Sequence, residues 1–205
     1  MEAIQILWED DDLLVCVKPA GVLSSQALFP DRRVYPVHRL DRETCGVMVF
    51  AKTSPCAARL SAALGTEVRK EYLALCEGCP PAEGRWIDLL YHDSTKNKTY
   101  VVQRKRRGVR EARLSYRRLS SGETSLVHVT LETGRTHQIR VQFASRGYPL
   151  VGDRKYGAAS KGALRLYAWK LTFPHPKGQV MTFTLPEEFF PENMILSCNY
   201  FSQGV

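Results

Sequence analysis

The chain has 205 residues, with 29 Lys+Arg against 21 Asp+Glu, a formal charge of +8, 44% apolar residues and 24% charged ones. That composition excludes a disordered chain, a fibre and a disulfide-stapled miniprotein, and no apolar run approaches the ~20 residues of a membrane helix. The opening from Met1 to Asp12 is acidic where a secretory or mitochondrial leader would be basic, so a cytoplasmic, reducing location is expected.

A chain of this size buries roughly 70–75% of its unfolded surface without needing structural metals. One domain over residues 1–205 is expected, with room for two lobes on one sheet. Leu13–Val17 is a short apolar strand, stopped by Lys18-Pro-Ala-Gly21, and Val47–Ala51 is another, entered through Gly46. Ser54 as N-cap and Pro55 in the first turn open a helix that stops at Gly65. Tyr72–Cys76 is a third strand. Arg113–Leu119 and Thr124–Leu131 flank a hairpin turn at Ser120–Glu123.

A second helix starts near Thr136, carries Ile139 and Phe143 at i,i+4, and ends at Gly147. Tyr167, Trp169, Leu171 and Phe173, then Met181, Phe183 and Leu185, repeat at period two on either side of a Pro-Gly turn. Paired strands with segregated helices predict an α+β protein on a largely antiparallel, mixed sheet with flanking helices.

Six cysteines give no disulfide framework, and Cys76-Glu-Gly-Cys79 lacks the second pair of a zinc site. No histidine forms a ligand pattern, so neither metal nor cofactor is expected. From Arg104 to Arg118 stand eight cations, including Arg104, Lys105, Arg106 and Arg107, against the lone acid Glu111. Such a run is most often a solvated face, but its density suits a phosphate backbone.

Two polar clusters could carry chemistry. In His38-Arg-Leu-Asp-Arg-Glu43, Asp41 sits between Arg39 and Arg42, whose charges favour its ionised form. The choice there is between a nucleophile or base and a surface salt-bridge cluster. In Glu132–Arg140 a strand gives way to a helix, where unpaired N–H groups favour an anion. Arg135 lies at its mouth and Arg140 about one turn in, as a phosphate contact, a partner for a carboxylate, or a solvated cap. Tyr72 is a strand aromatic that could equally stack on a base.

Taken together, these segments resemble the RluA-type pseudouridine synthases, isomerases of uridine in RNA. The matching pieces are Trp8 to Gly21, His38-Arg-Leu-Asp-Arg-Glu-Thr-Cys-Gly46, Lys70-Glu-Tyr-Leu-Ala74, Gly134-Arg-Thr-His-Gln-Ile-Arg140 and Pro149 to Gly157. They run in order from about residue 7 to 190. The resemblance implies a pseudouridine synthase catalytic fold with a central RNA-binding cleft. It makes Asp41 the catalytic aspartate, which displaces the salt-bridge reading. Tyr72 becomes the tyrosine that stacks on the base and takes its C5 proton, and Arg135 the arginine that orients the aspartate. Arg39 fills the gap left by the extruded nucleotide, with His38, Arg42, Arg140 and the 104–107 run as further RNA contacts.

Cys45 stands where the family usually has serine and Glu43 where aspartate is common. No N-terminal S4-type RNA-binding module of the kind many relatives carry is expected, so the catalytic domain itself must grip RNA. The tail from about 191 to 205 matches nothing in the family. The expected activity is isomerisation of uridines in structured rRNA or tRNA by a monomer with no membrane partner. A non-catalytic RNA-binding or chaperone module using the same cleft is the alternative. A nucleoside or glycoside hydrolase is a third reading, and it would need Glu43 or Glu132 as its second acid.

Overall fold

The computed structural model describes residues 4–191 and Met194, so most of the tail after Pro191 lies outside the described residues. The chain divides into two compact units, Met1–Glu71 with Tyr167–Leu185, and Tyr72–Leu166 with Pro186–Val205.

The first unit contains β1 (Ile6–Glu9), β2 (Leu13–Lys18), β3 (Tyr35–Pro36), β4 (Cys45–Ala51) and the helix α1 (Ser54–Ala63). The two last strands of the chain, β10 (Leu166–Pro174) and β11 (Val180–Thr184), complete it. Strand β4 pairs antiparallel with β2 along one edge, and with β3 and, in parallel, β10 along the other. Both β2 and β4 are buried throughout, which is why they read as unbroken apolar runs rather than alternating ones. Leu14, Cys16, Met48 and Phe50 pack with Phe29 and Val34 on one side. Helix α1 packs on β4 and buries Cys56, Leu60 and Ala63, one stripe at helical spacing. Its N-cap is Thr53, not Ser54: the Thr53 hydroxyl accepts the Cys56 N–H at 3.3 Å.

The second unit is built on β5 (Arg69–Glu77), which enters it at Tyr72, and on β6 (Glu83–Asp93), β7 (Lys98–Val102), β8 (Val109–Arg118) and β9 (Thr124–Leu131). The order β5-β9-β8-β6-β7 is antiparallel from β9 to β7. Helix α2 (Gln138–Ala144) lies over one face. There Trp86, Tyr116 and Phe143 meet with ring centroids 4.5–5.3 Å apart, beside a cluster of Leu90, Ala112 and Val141. Aromatic trios of this geometry add to simple burial, by about 0.5–1.5 kcal/mol per pair.

The α+β, mostly antiparallel expectation holds. Two details differ from the sequence reading. Helix α2 is shorter at its start, because His137 adopts a left-handed backbone (φ 54°) and cannot join the helical turn. Strands β6 and β7 are hidden in the sequence because charged residues break their alternation, for example Arg85 and Asp88 about Trp86.

Gly46 marks where β10 comes closest to the turn that carries Asp41. Its φ is 149°, and a Cβ there would collide with the Ala168 carbonyl oxygen of the pairing strand. Gly46→Ala is therefore expected to cost about 3 kcal/mol or more, from backbone strain plus overpacking. Urea unfolding of the two proteins measures it, and a midpoint unchanged by the alanine would contradict the close approach.

Candidate active site

In the first unit the segment from His38 to Thr44 is an exposed turn with a rigid back. Lys18, fully buried at the end of β2, directs its ammonium at the carbonyls of Pro19, Val22 and Arg42, 2.8, 2.9 and 3.1 Å away. Burial lowers its pKa to about 8, opposed by the nearby Glu43 and Asp41 carboxylates, so it remains mostly charged at neutral pH. The Arg42 carbonyl also accepts the Gly21 N–H at 2.9 Å, and Arg42 Nε returns a bond to the Gly21 carbonyl at 2.9 Å. One residue before Asp41, the Leu40 N–H donates to the Ser24 hydroxyl, which donates back to the Leu40 carbonyl. One residue after the acidic Glu43, the Thr44 N–H closes the turn on the Asp41 carbonyl at 3.1 Å. Asp41 itself is half-buried, and its backbone is fixed from both neighbours.

His38 and Arg39 part company. The His38 Nε2 accepts the Val49 N–H at 3.1 Å, on the edge of β4 between the stretches paired with β3 and β10. Burial first, and the Lys70 charge second, lower its pKa to about 4. The neutral ring thus serves as an acceptor for the β4 backbone. Arg39 is exposed and has no hydrogen-bond or ionic partner among the described residues. Arg42 is exposed too, with only a loose 3.9 Å approach to Glu43 beyond its bond to Gly21.

In the second unit Tyr72 is buried near the start of its part of β5. Arg135 is exposed but not loose. The buried Gln138 side chain accepts the Arg135 N–H at 3.0 Å and the Thr133 hydroxyl at 2.8 Å. The Gln138 backbone N–H reaches back to the Arg135 carbonyl at 3.0 Å, and Arg135 Nε donates to the Glu111 carbonyl at 3.0 Å. Arg140 is buried and bidentate to Asp153 at 2.7 and 2.8 Å. Removing one partner of such a pair costs about 3–5 kcal/mol.

The basic run splits in two. Gln103–Gly108 is an exposed loop between β7 and β8. Arg104, Lys105 and Arg107 have no partner among the described residues there, and Arg106 lies 4.9 Å over the Tyr91 ring. Past the loop Arg110 and Arg117 are exposed, whereas two cations are used internally: Arg113 pairs with Glu111 and Glu132, and Arg118 caps the Pro80 carbonyl and the Cys79 sulfur. Glu132 is gripped by Arg85 through two 2.8 Å bonds. Those bonds hold its carboxyl below the usual carboxylate range.

Two features escape a reading of the sequence. Lys18 reads only as a strand stop, since nothing in Lys-Pro-Ala-Gly says that its ammonium turns inward. Asp10, Asp12 and His175 also gather, with one ligand-type atom each within 4.8 Å of the others, although 165 residues separate Asp10 from His175. Their lone pairs are already engaged: Asp10 accepts the Asp12 and Leu13 N–H groups and His175 Nε2, His175 Nδ1 accepts the Lys177 N–H, and Lys177 Nζ sits 3.3 Å from Asp12. The cluster is a clamp between two turns. No described helix is long and apolar enough to cross a membrane.

A family model described as RNA pseudouridylate synthase matches residues 12–145. Ribosomal large subunit pseudouridine synthase D of Nitrosomonas europaea is 34% identical, with 93% of this chain and 63% of that protein covered. The dual-specificity RNA pseudouridine synthase RluA of Vibrio vulnificus is 29% identical, over 96% of this chain and 88% of that one. The chain thus spans just under two thirds of the first relative's length. Among solved structures, Human RNA Pseudouridylate Synthase Domain Containing 1 has the same fold, with a TM-score of 0.77 at 24% identity over 93% of this chain and 86% of that one.

The His38 arrangement has a pH consequence. Between pH 6.5 and 4 the unfolded ring takes up a proton that the folded ring refuses, so stability falls as pH drops through that window. The full shift corresponds to ~3 kcal/mol, and about 2 kcal/mol is expected because the ring keeps some solvent contact. Denaturant unfolding at pH 6.5 and pH 4 should show this loss in wild type and a smaller one in His38→Gln. Parallel losses in both proteins would contradict it.

Proposed function

We propose that this chain, which belongs to the RNA pseudouridylate synthase family, isomerises uridine to pseudouridine in structured rRNA or tRNA. The reading rests on one observation above the rest: Asp41, inside the matched segment, sits on a turn held from both sides by Lys18, Gly21 and Ser24. A free surface carboxylate needs no such support. A carboxylate that must meet one sugar carbon does, because positioning supplies much of the rate.

In the reaction the N1–C1′ bond breaks, the uracil turns, C5 bonds to C1′, the C5 proton leaves and N1 gains one. Asp41 works at the C1′/C2′ region, by stabilising positive charge at the sugar, by adding to it, or by taking the C2′ proton. Tyr72 stacks on the base and accepts the C5 proton. The uridine leaves its stack at a cost of a few kcal/mol, and the exposed Arg39, which has no partner among the described residues, fills the vacancy.

Substrate grip falls to the 104–107 loop, where three cations have no partner among the described residues and are available to phosphates. The names of the relatives point to ribosomal and other RNA as the substrate class.

Tritium release from RNA labelled at uridine C5 tests the chemistry. Wild type should release it, and Asp41→Ala should be at least ~10³-fold slower, the order of loss that follows removal of a central catalytic group. Release of free uracil, or equal rates from both proteins, would sink the assignment.

Grip is tested separately, by reversing Arg104, Lys105, Arg106 and Arg107 to Glu. Binding should weaken, and the slope of log K against log salt should flatten by ~0.7 for each single-strand phosphate the loop no longer neutralises. An unchanged slope returns the loop to ordinary solvated surface.

A further inference from the structure

Strands β6 and β7 present two unlike faces. Trp86, Leu90 and Val101 lie on the side covered by α2, against Phe143, Val141 and Tyr156. Strand alternation sends Ile87, Leu89 and Tyr91, with Tyr100 and Val102, to the other side. There Ile87 keeps 55% of its surface exposed and Tyr100 37%, so a strip of apolar and aromatic surface is left open to water.

The register sets Tyr91 directly opposite Tyr100, and Asp93 opposite Lys98. Each ring has a cation against it. Arg106 Cζ lies 4.9 Å from the Tyr91 centroid, and Lys98 Nζ lies 5.8 Å from that of Tyr100. Gly108, at a left-handed φ of 83°, turns the basic loop back onto Tyr91, so close that a Cβ on it would stand 3.5 Å from the ring. The Val109 N–H closes that turn on the Arg106 carbonyl at 3.0 Å. Nearby acids are already taken. Asp93 accepts the Thr95 and Lys96 N–H groups at 3.0 and 3.1 Å, and Glu111 pairs with Arg113 at 3.0 Å. Neither tyrosine hydroxyl has a hydrogen-bond partner among the described residues, and Lys98 has no ionic one.

We infer that this face is a stacking platform for a single-stranded stretch of the RNA substrate. One base lies on the open ring of Tyr100, its neighbour on the Arg106–Tyr91 stack, and Lys98 with the 104–107 loop takes the phosphates. The inference rests on the reading of this chain as an enzyme of RNA. Charge complementarity selects the occupant: ring faces bordered by cations that no described acid neutralises suit a polyanion whose bases also stack. Every base has a π-face, so the platform adds grip without choosing the uridine.

The test is RNA binding, followed by fluorescence anisotropy at several salt concentrations. The probes are one hairpin RNA without extensions and the same hairpin with about ten cytidines added at each end. The extensions should tighten binding by wild type about tenfold, and Tyr100→Ala should remove most of that gain. Tyr100→Phe, which keeps the ring, should bind within about twofold of wild type. The slope of log K against log salt should not change in Tyr100→Ala, which loses no phosphate contact, and should flatten by ~0.7 in Lys98→Ala.

No gain from the extensions, or a gain that Tyr100→Ala leaves intact, overturns the inference alone when wild type still releases tritium from uridine-C5-labelled RNA. Wild type that binds neither hairpin and releases no tritium overturns the enzymatic reading, and the inference with it. Equal losses in Tyr100→Phe and Tyr100→Ala make the hydroxyl the contact and overturn the stacking. Wild type that sediments as a dimer and Tyr100→Ala as a monomer, with equal RNA affinity, assigns the face to a second copy of the chain and overturns it as well. Should Tyr100→Ala fail to fold, Tyr100→Leu, which keeps apolar cover without a π-face, takes its place.

Discussion

A buried ammonium holds the candidate catalytic turn together. Lys18 is taken wholly out of water, a penalty that shows in its pKa of about 8, and is stabilised by three carbonyls from two stretches of chain. One of them belongs to Arg42, next to the aspartate. Because ammonium protons cannot be left unmet in a dry interior, the carbonyls of Pro19, Val22 and Arg42 must converge on one point. The loop after β2 and the turn before β4 are thus fixed relative to each other. Ser24 and Gly21 then fasten the residues on either side of Asp41.

The same requirement governs the polar residues of the second unit. Arginines divide into those occupied by the protein and those left to solvent, and the division is sharp. Arg140, Arg85, Arg113 and Arg118 each meet a carboxylate or carbonyl, whereas Arg104, Lys105 and Arg107 meet nothing among the described residues. A cation with no internal partner loses little when a phosphate replaces its water. One already paired must break a bond first. Charge density along the sequence could not make this distinction, since both kinds occur in a single stretch from Arg104 to Arg118.

What is legible in the sequence follows from this. Strands buried on both faces, such as β2 and β4, announce themselves as apolar runs, and the turn at Gly46 announces itself by its glycine. Strand β6 stays hidden because Arg85 and Asp88, three residues apart and so on opposite faces, break the alternation. The Asp41 and Arg135 segments stand out as motifs, yet the inward turn of Lys18 cannot be seen, because its partners are set by folding and not by spacing. The same holds for the bonds that His38 makes to the Val49 N–H and Arg140 to Asp153.

The parallel pairing of Cys45–Gly46 with Tyr167–Ala168 has a consequence for the order in which the molecule is made. About 120 residues separate the two stretches, and closing a loop of that length costs about 4 kcal/mol of chain entropy. Local hairpins such as β6–β7 and β8–β9 can form as soon as they are synthesised. The edge of β4 beside the aspartate turn must wait until β10 has left the ribosome. A nascent or prematurely terminated chain therefore carries its basic 104–107 loop long before its aspartate turn is finished. The aspartate turn is among the last parts of the enzyme to mature.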